Sequence, residues 1–171
     1  MTVYNTILAQ RPDITEVLMG EFYRTNNGNV AKGGRHWFSQ PVFSFTEGYF
    51  SAMGIGSSIE KAQKFPDVPK LTPKQLEAID FYRDTVSKCA VDIPFIPGDI
   101  QFLNNLVMLH SRRAFEDFPE DHRKRHLLRL WLSDPDGRPI PEEQKRGRSR
   151  KGIQVDDVKP VVPFDVVVMA A

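Results

Sequence analysis

The chain carries one cysteine, Cys89, in 171 residues. An internal disulfide is thereby excluded, and the usage fits a reducing compartment. Charge of one sign is also lacking: 23 Lys and Arg stand against 22 Asp and Glu, a net of +1. Such a balance exerts no general pull on nucleic acid or acidic membranes. Long hydrophobic runs are missing too. The longest, VVPFDVVVMAA at 161–171, is interrupted by Pro163 and Asp165, whereas a membrane span needs roughly 20 apolar residues. The opening MTVYNTILAQRPD has neither a basic n-region nor a long apolar h-region, so no secretory leader is expected. A cytoplasmic protein without nucleic-acid or membrane partners is the expectation.

What is present is ordinary for a soluble domain: 40% hydrophobic and 26% charged residues. The length suits one domain, 1–171, able to bury a core, and no internal repeat is visible. Residues 3–10 and 13–19 read as two short helices separated by Arg11-Pro12, with Asp13 as N-cap and Glu16 at the capping-box spacing. TNNGNVAKGGRH (25–36) reads as a loop, rich in Gly and Asn. QPVFSF (40–45) and GYFSAM (48–53) form a candidate hairpin around Thr46-Glu47, and 57–65 is a short helix candidate. LTPKQLEAIDFYRDTVSKCA gives the clearest helix. Thr72 is its N-cap, Pro73 sits at the first helical position and Gln75 completes the capping box. Leu76, Ile79, Tyr82 or Arg83, and Val86 make one apolar stripe, a core-packing face.

After Pro97-Gly98 the period changes. GDIQFL (98–103), LVMLH (106–110) and RHLLRLWLS (125–133) alternate like strands, and 134–171 is turn chemistry, then a charge run in an irregular tail. The class is α+β with a mainly β core. If 106–110 is extended, Leu106, Met108 and His110 share a face. On the later strand Arg125, Leu127, Arg129 and Trp131 share one face, and His126, Leu128, Leu130 and Leu132 the other. Large apolar residues on both faces imply cover on both sides. Arginines inside such a strand are costly to bury unless they bind anions, and the guanidinium fork suits a carboxylate. A histidine nearby would make a pocket for a metal and a small dicarboxylate.

GDIQFLNN, LHSRRAFEDFPE and RKRHLLRLWLSD together strongly resemble the C-terminal half of the taurine/2-oxoglutarate dioxygenase (TauD/TfdA-like) family. PVFSF, LTPKQLEAIDFY and NTILAQRPD extend the resemblance over nearly the whole chain. It implies a double-stranded β-helix (jelly roll), here partial and flanked by helices, holding Fe(II) through a His-X-Asp/Glu motif and a distal histidine. By resemblance His110 is the distal iron ligand. Arg125, 15 positions later, is the first choice for the arginine gripping the far carboxylate of 2-oxoglutarate, and Arg129 the second. The implied activity is hydroxylation of a small organic substrate with 2-oxoglutarate as co-substrate.

The chain departs from the pattern in one respect. Its four histidines lie in HWF, HSR, HRK and HLL, so no His-X-Asp or His-X-Glu occurs. Two of three expected iron ligands are missing, which implies a piece of a longer enzyme or a truncated relative unable to turn over. A non-catalytic, vestigial jelly-roll binding protein is therefore the alternative. A cupin-like metalloenzyme is weaker, since no further ligand set is found. A half-barrel with unpaired edges is expected to self-associate. The remaining features have structural readings. Arg112-Arg113 is a rim pair, Asn104-Asn105 a turn, and Arg35-His36-Trp37 a loop anchor. His122 reads as a loop residue, His126 as outward-facing, KRGRSRK (145–151) as solvated tail, and Cys89 as structural.

Overall fold

A computed structural model of the protein describes residues 1–25, 35–130, 132 and 137–142. Helices α1 (Thr2–Gln10), α2 (Pro12–Met19) and α4 (Pro73–Cys89) pack on one another, and α3 (Ser57–Ala62) lies against β1. Strands β1 (Tyr23–Thr25) and β2 (Trp37–Ser39) pair antiparallel, as do β3 (Phe43–Thr46) and β4 (Tyr49–Ala52). Among the described residues the sheets are two-stranded and no closed barrel is formed.

Local grammar explains most of these elements. Thr72 Oγ1 accepts from the Gln75 N–H at 3.1 Å and Gln75 Oε1 from the Thr72 N–H at 2.9 Å, closing the capping box of α4. Its buried face is Ala78, Ile79, Tyr82 and Thr85. Leu76, assigned to that face from its spacing, is instead 50% exposed, because the packed stripe begins half a turn later. The β3–β4 hairpin turns at Glu47-Gly48, one residue beyond the expected Thr46-Glu47. Both turn residues have positive φ, 51° and 82°, the backbone twist that suits a two-residue hairpin.

Helix α2 corrects another expectation. Its N-cap is Arg11, Pro12 takes the first helical position, and no side-chain cap is made. The Asp13 carboxylate is turned to Arg11, at 2.9 and 2.7 Å, and to Lys74 at 2.7 Å. Glu77 completes an exposed network, 2.6 Å from Arg11 and 3.0 Å from Lys74, that ties the α1–α2 junction to α4.

The core is aromatic and aliphatic: Ile7, Ile14, Leu18, Phe22, Val42, Phe43, Phe50, Ile59, Ile79 and Tyr82 are buried together. Each fully buried Ile, Leu or Phe contributes about 1.5–3 kcal/mol. Tyr4 meets Phe43, Phe45 and Phe50 edge-on or tilted, at 5.1–5.6 Å between centroids.

The three strands expected in 98–133 do not form among the described residues. Residues 105–107 make a turn, and 98–104, 108–110 and 125–130 run without a ladder. The alternation of side chains is real, but a strand also needs a neighbour for its backbone N–H and C=O groups, and here almost none lies alongside. Leu128 and Leu130 on one face are 84% and 85% exposed and Leu127 on the other 39%, so the expected cover on both faces is not found among the described residues. The expectations for 26–34, Trp131, 133–136 and 143–171 lie outside the described residues.

Two consequences can be measured. Thr72→Ala removes the reciprocal cap and should cost about 1 kcal/mol in chemical denaturation; an unchanged midpoint would show that α4 does not depend on its cap. The Asp13 and Glu77 carboxyls are held below their ordinary values, first by hydrogen bonds from Arg11 and then from Lys74. A depressed folded pKa means the network stabilises above the ordinary range near 4 and loses that contribution as pH falls below it. Acid destabilisation below pH 4 should therefore shrink in the Asp13→Asn, Glu77→Gln double variant, and in about 0.5 M salt, which screens exposed pairs.

Candidate active site

The histidine singled out by sequence is placed by a chain of backbone contacts. Pro97-Gly98 turns the chain with Gly98 at φ +96°, and Asp99 holds the turn by accepting from the Ile96 N–H at 2.9 Å. Asn104 then folds the next turn. Its carbonyl accepts from Val107 at 3.1 Å and Met108 at 3.0 Å, and its side chain from the Leu106 N–H at 3.1 Å. The expected Asn turn is thus present, and it replaces the first half of the expected strand.

One bond joins this segment to the hairpin: the Ala52 N–H donates to the Leu106 carbonyl at 2.7 Å. Beyond it, Val107 and Leu109 pack on the core while Met108 and His110 face outward. Leu109 Cδ2 lies 3.5 Å from where a Cβ on Gly54 would stand, an ordinary van der Waals distance. His110 therefore stands exposed at the end of an anchored segment, on the same side as Met108.

The arginines follow a compact loop. Asp117 Oδ1 accepts from the N–H groups of Phe118 at 3.2 Å and Arg125 at 2.8 Å, closing the loop over a 3-10 turn at Asp121–Arg123. The Arg123 guanidinium carbon lies 3.7 Å from the Phe118 ring centroid and that of Arg125 lies 5.0 Å from the Phe115 ring. Arg125 and Arg129 are exposed, and among the described residues no hydrogen bond or ion pair joins either to His110. Arg113, of the rim pair, forms a bidentate bond to Asp92 at 2.7 Å on both arms.

The donor set does not fit iron as it stands. Among the described residues no group of three or more His, Cys, Asp or Glu is placed to hold a metal ion, and one imidazole does not make a useful Fe(II) site. The loop-anchoring reading of 35–37 matches the contacts made there: Trp37 Nε1 donates to Asp67 at 2.8 Å, and His36 stacks on Phe65 at 5.9 Å. Sequence reasoning passed over Arg24, which is fully buried. Its signal was the alternation in FYR, which puts Arg24 on the face of Phe22. Among the described residues no helix is long and apolar enough to cross a membrane.

The Taurine catabolism dioxygenase TauD, TfdA family profile matches residues 1–131, a span that contains His110, Arg125 and Arg129. The chain belongs to this family, whose members are generally dependent on Fe(II) and 2-oxoglutarate. It is 27% identical over 151 residues to FR-33289 synthase of Streptomyces rubellomurinus, covering 82% of this chain and 43% of that protein. It is 30% identical over 138 residues to taurine hydroxylase-like protein SAT17 of Stachybotrys chartarum, covering 77% of this chain and 34% of that protein. The chain thus spans less than half the length of these curated relatives.

Proposed function

We propose that these 171 residues are the distal-ligand and co-substrate portion of an Fe(II)- and 2-oxoglutarate-dependent oxygenase acting on a small organic substrate. The carrying observation is the family match through residue 131, which includes both motif segments. In this reading His110 supplies one iron bond, and the remaining ligands come from sequence outside these residues. Arg125, ahead of Arg129, grips the far carboxylate of 2-oxoglutarate through a charge-assisted bidentate bond. The chain's own share is positional. The Asn104 turn and the Ala52–Leu106 bond fix where His110 stands, and the Asp117 bond fixes where the Arg125 backbone leaves its loop.

A second reading is favoured by the lack of a metal-holding cluster among the described residues: a vestigial binding protein of the same fold. Turnover separates the two only when the missing ligands are supplied. The 171-residue chain alone, given iron, ascorbate and 2-oxoglutarate, is expected to form no succinate above a no-enzyme control. Iron-dependent turnover by it would show that the ligand set is complete. Co-expressed with the His-X-Asp-bearing part of a relative, an oxygenase portion should restore iron binding, and a vestigial one should not.

In that reconstituted protein, direct titration tests the clamp. Loss of a charge-assisted hydrogen bond costs roughly 1.5–3 kcal/mol, so Arg125→Ala should weaken 2-oxoglutarate binding about ten- to a hundredfold. Arg125→Lys should recover part of it, and Arg123→Ala should change little. Weakening by Arg129→Ala alone would move the clamp four residues on, and indifference to both would remove it from this segment.

A further inference from the structure

Beside the hairpin, Arg24 is buried and Arg138 is partly buried, and among the described residues neither forms an ion pair with a carboxylate. Arg24, 1% exposed, donates to the Gly54 carbonyl at 2.8 Å and the Met53 carbonyl at 3.4 Å. Its Nε–H has no acceptor. Gln40, 2% exposed, has an amide Nε2 that is also without a partner. The β1–β2 register sets Arg24 opposite Phe38 and Tyr23 opposite Ser39, so Arg24 and Gln40 share one face as diagonal neighbours. Two residues after Gln40, the Val42 carbonyl accepts from the Met53 N–H at 2.8 Å. The segment of Gln40 is thereby tied to the end of β4, where Arg24 also donates.

Arg138 reaches the same strand end from far along the chain. It donates to Ser51 Oγ at 3.2 Å, and its Nε is buried and unpartnered. Three orphaned N–H groups, two of them on cations, thus belong to side chains or segments bonded to residues 51–54. Carbonyls and a hydroxyl satisfy part of each guanidinium but supply no countercharge, and an unpaired buried charge is expensive. Burial pushes Arg24 down to about 10, still well above neutrality, so its charge persists at pH 7.

We propose that Arg24, Gln40 and Arg138 form a binding site for a small planar oxyanion, a carboxylate of formate or acetate size. A guanidinium presents parallel N–H donors that match two carboxylate oxygens, and the amide adds a neutral third donor. Near-complete burial of Arg24 and Gln40 limits the ligand to a few atoms. The site is separate from the oxygenase reading, since none of its residues is an expected iron or 2-oxoglutarate contact, and it stands or falls independently.

The test is thermal unfolding of the whole chain in sodium formate, with sodium chloride holding ionic strength constant. A ligand that binds only the folded state raises the midpoint by mass action, so the midpoint should climb and saturate with formate. Isothermal titration with formate should give a matching affinity. Gln40→Met and Arg138→Ala, which leave Arg24 in place, should each weaken formate about tenfold, and Arg24→Met should abolish the effect if it folds. Equal midpoints in formate and chloride, with no heat of formate binding, would overturn the proposal. So would formate stabilisation that survives undiminished in both Gln40→Met and Arg138→Ala.

Discussion

A peptide strand is stable only where another takes up its backbone donors and acceptors, and this requirement divides the molecule. Where partners exist, as in Phe43–Thr46 against Tyr49–Ala52, side chains on the inner face are buried and the helices find a surface to cover. Where the neighbour dwindles to one bond, Ala52 to Leu106, the pairing ends and the chain runs exposed. Apolar side chains cannot bury themselves by alternation alone. They need an ordered backbone opposite them, and without one Leu128 and Leu130 stay exposed.

The same division decides how much could be read from sequence. The capping box of α4 was legible because Thr72 and Gln75 interact over three residues, with no help from the rest of the fold. The hairpin and the Asn104 turn were legible for the same reason, with an error of one residue at Glu47-Gly48. Pairing of β1 with β2 was missed, because three-residue strands separated in sequence leave almost no periodic trace. Asp13 obeyed helix-start grammar yet serves Arg11 and Lys74 instead, since Pro12 had already set the first turn. Period-two patterns in 98–133 showed which side chains share a face but could not name a neighbouring strand.

For the candidate site the lesson is similar. The outward direction of His110 beside Met108 accords with the alternation of 107–110. The relation of His110 to Arg125 was not legible, because it depends on how two exposed segments meet rather than on either one. The family match runs through both segments, while the packed core reaches only the first. The buried Arg24 was hidden for the opposite reason: residue type marks arginine as a surface group, and only the register of β1 with β2 turns it inward.

Cys89 is the last residue of α4 and the chain's single thiol, unbonded and partly accessible. It stands where the packed helical layer gives way to the open stretch beyond it. One spectroscopic label attached there would sit at the end of α4, next in the chain to that stretch. Its mobility and polarity would report whether the stretch acquires cover, without any second site needing to be engineered.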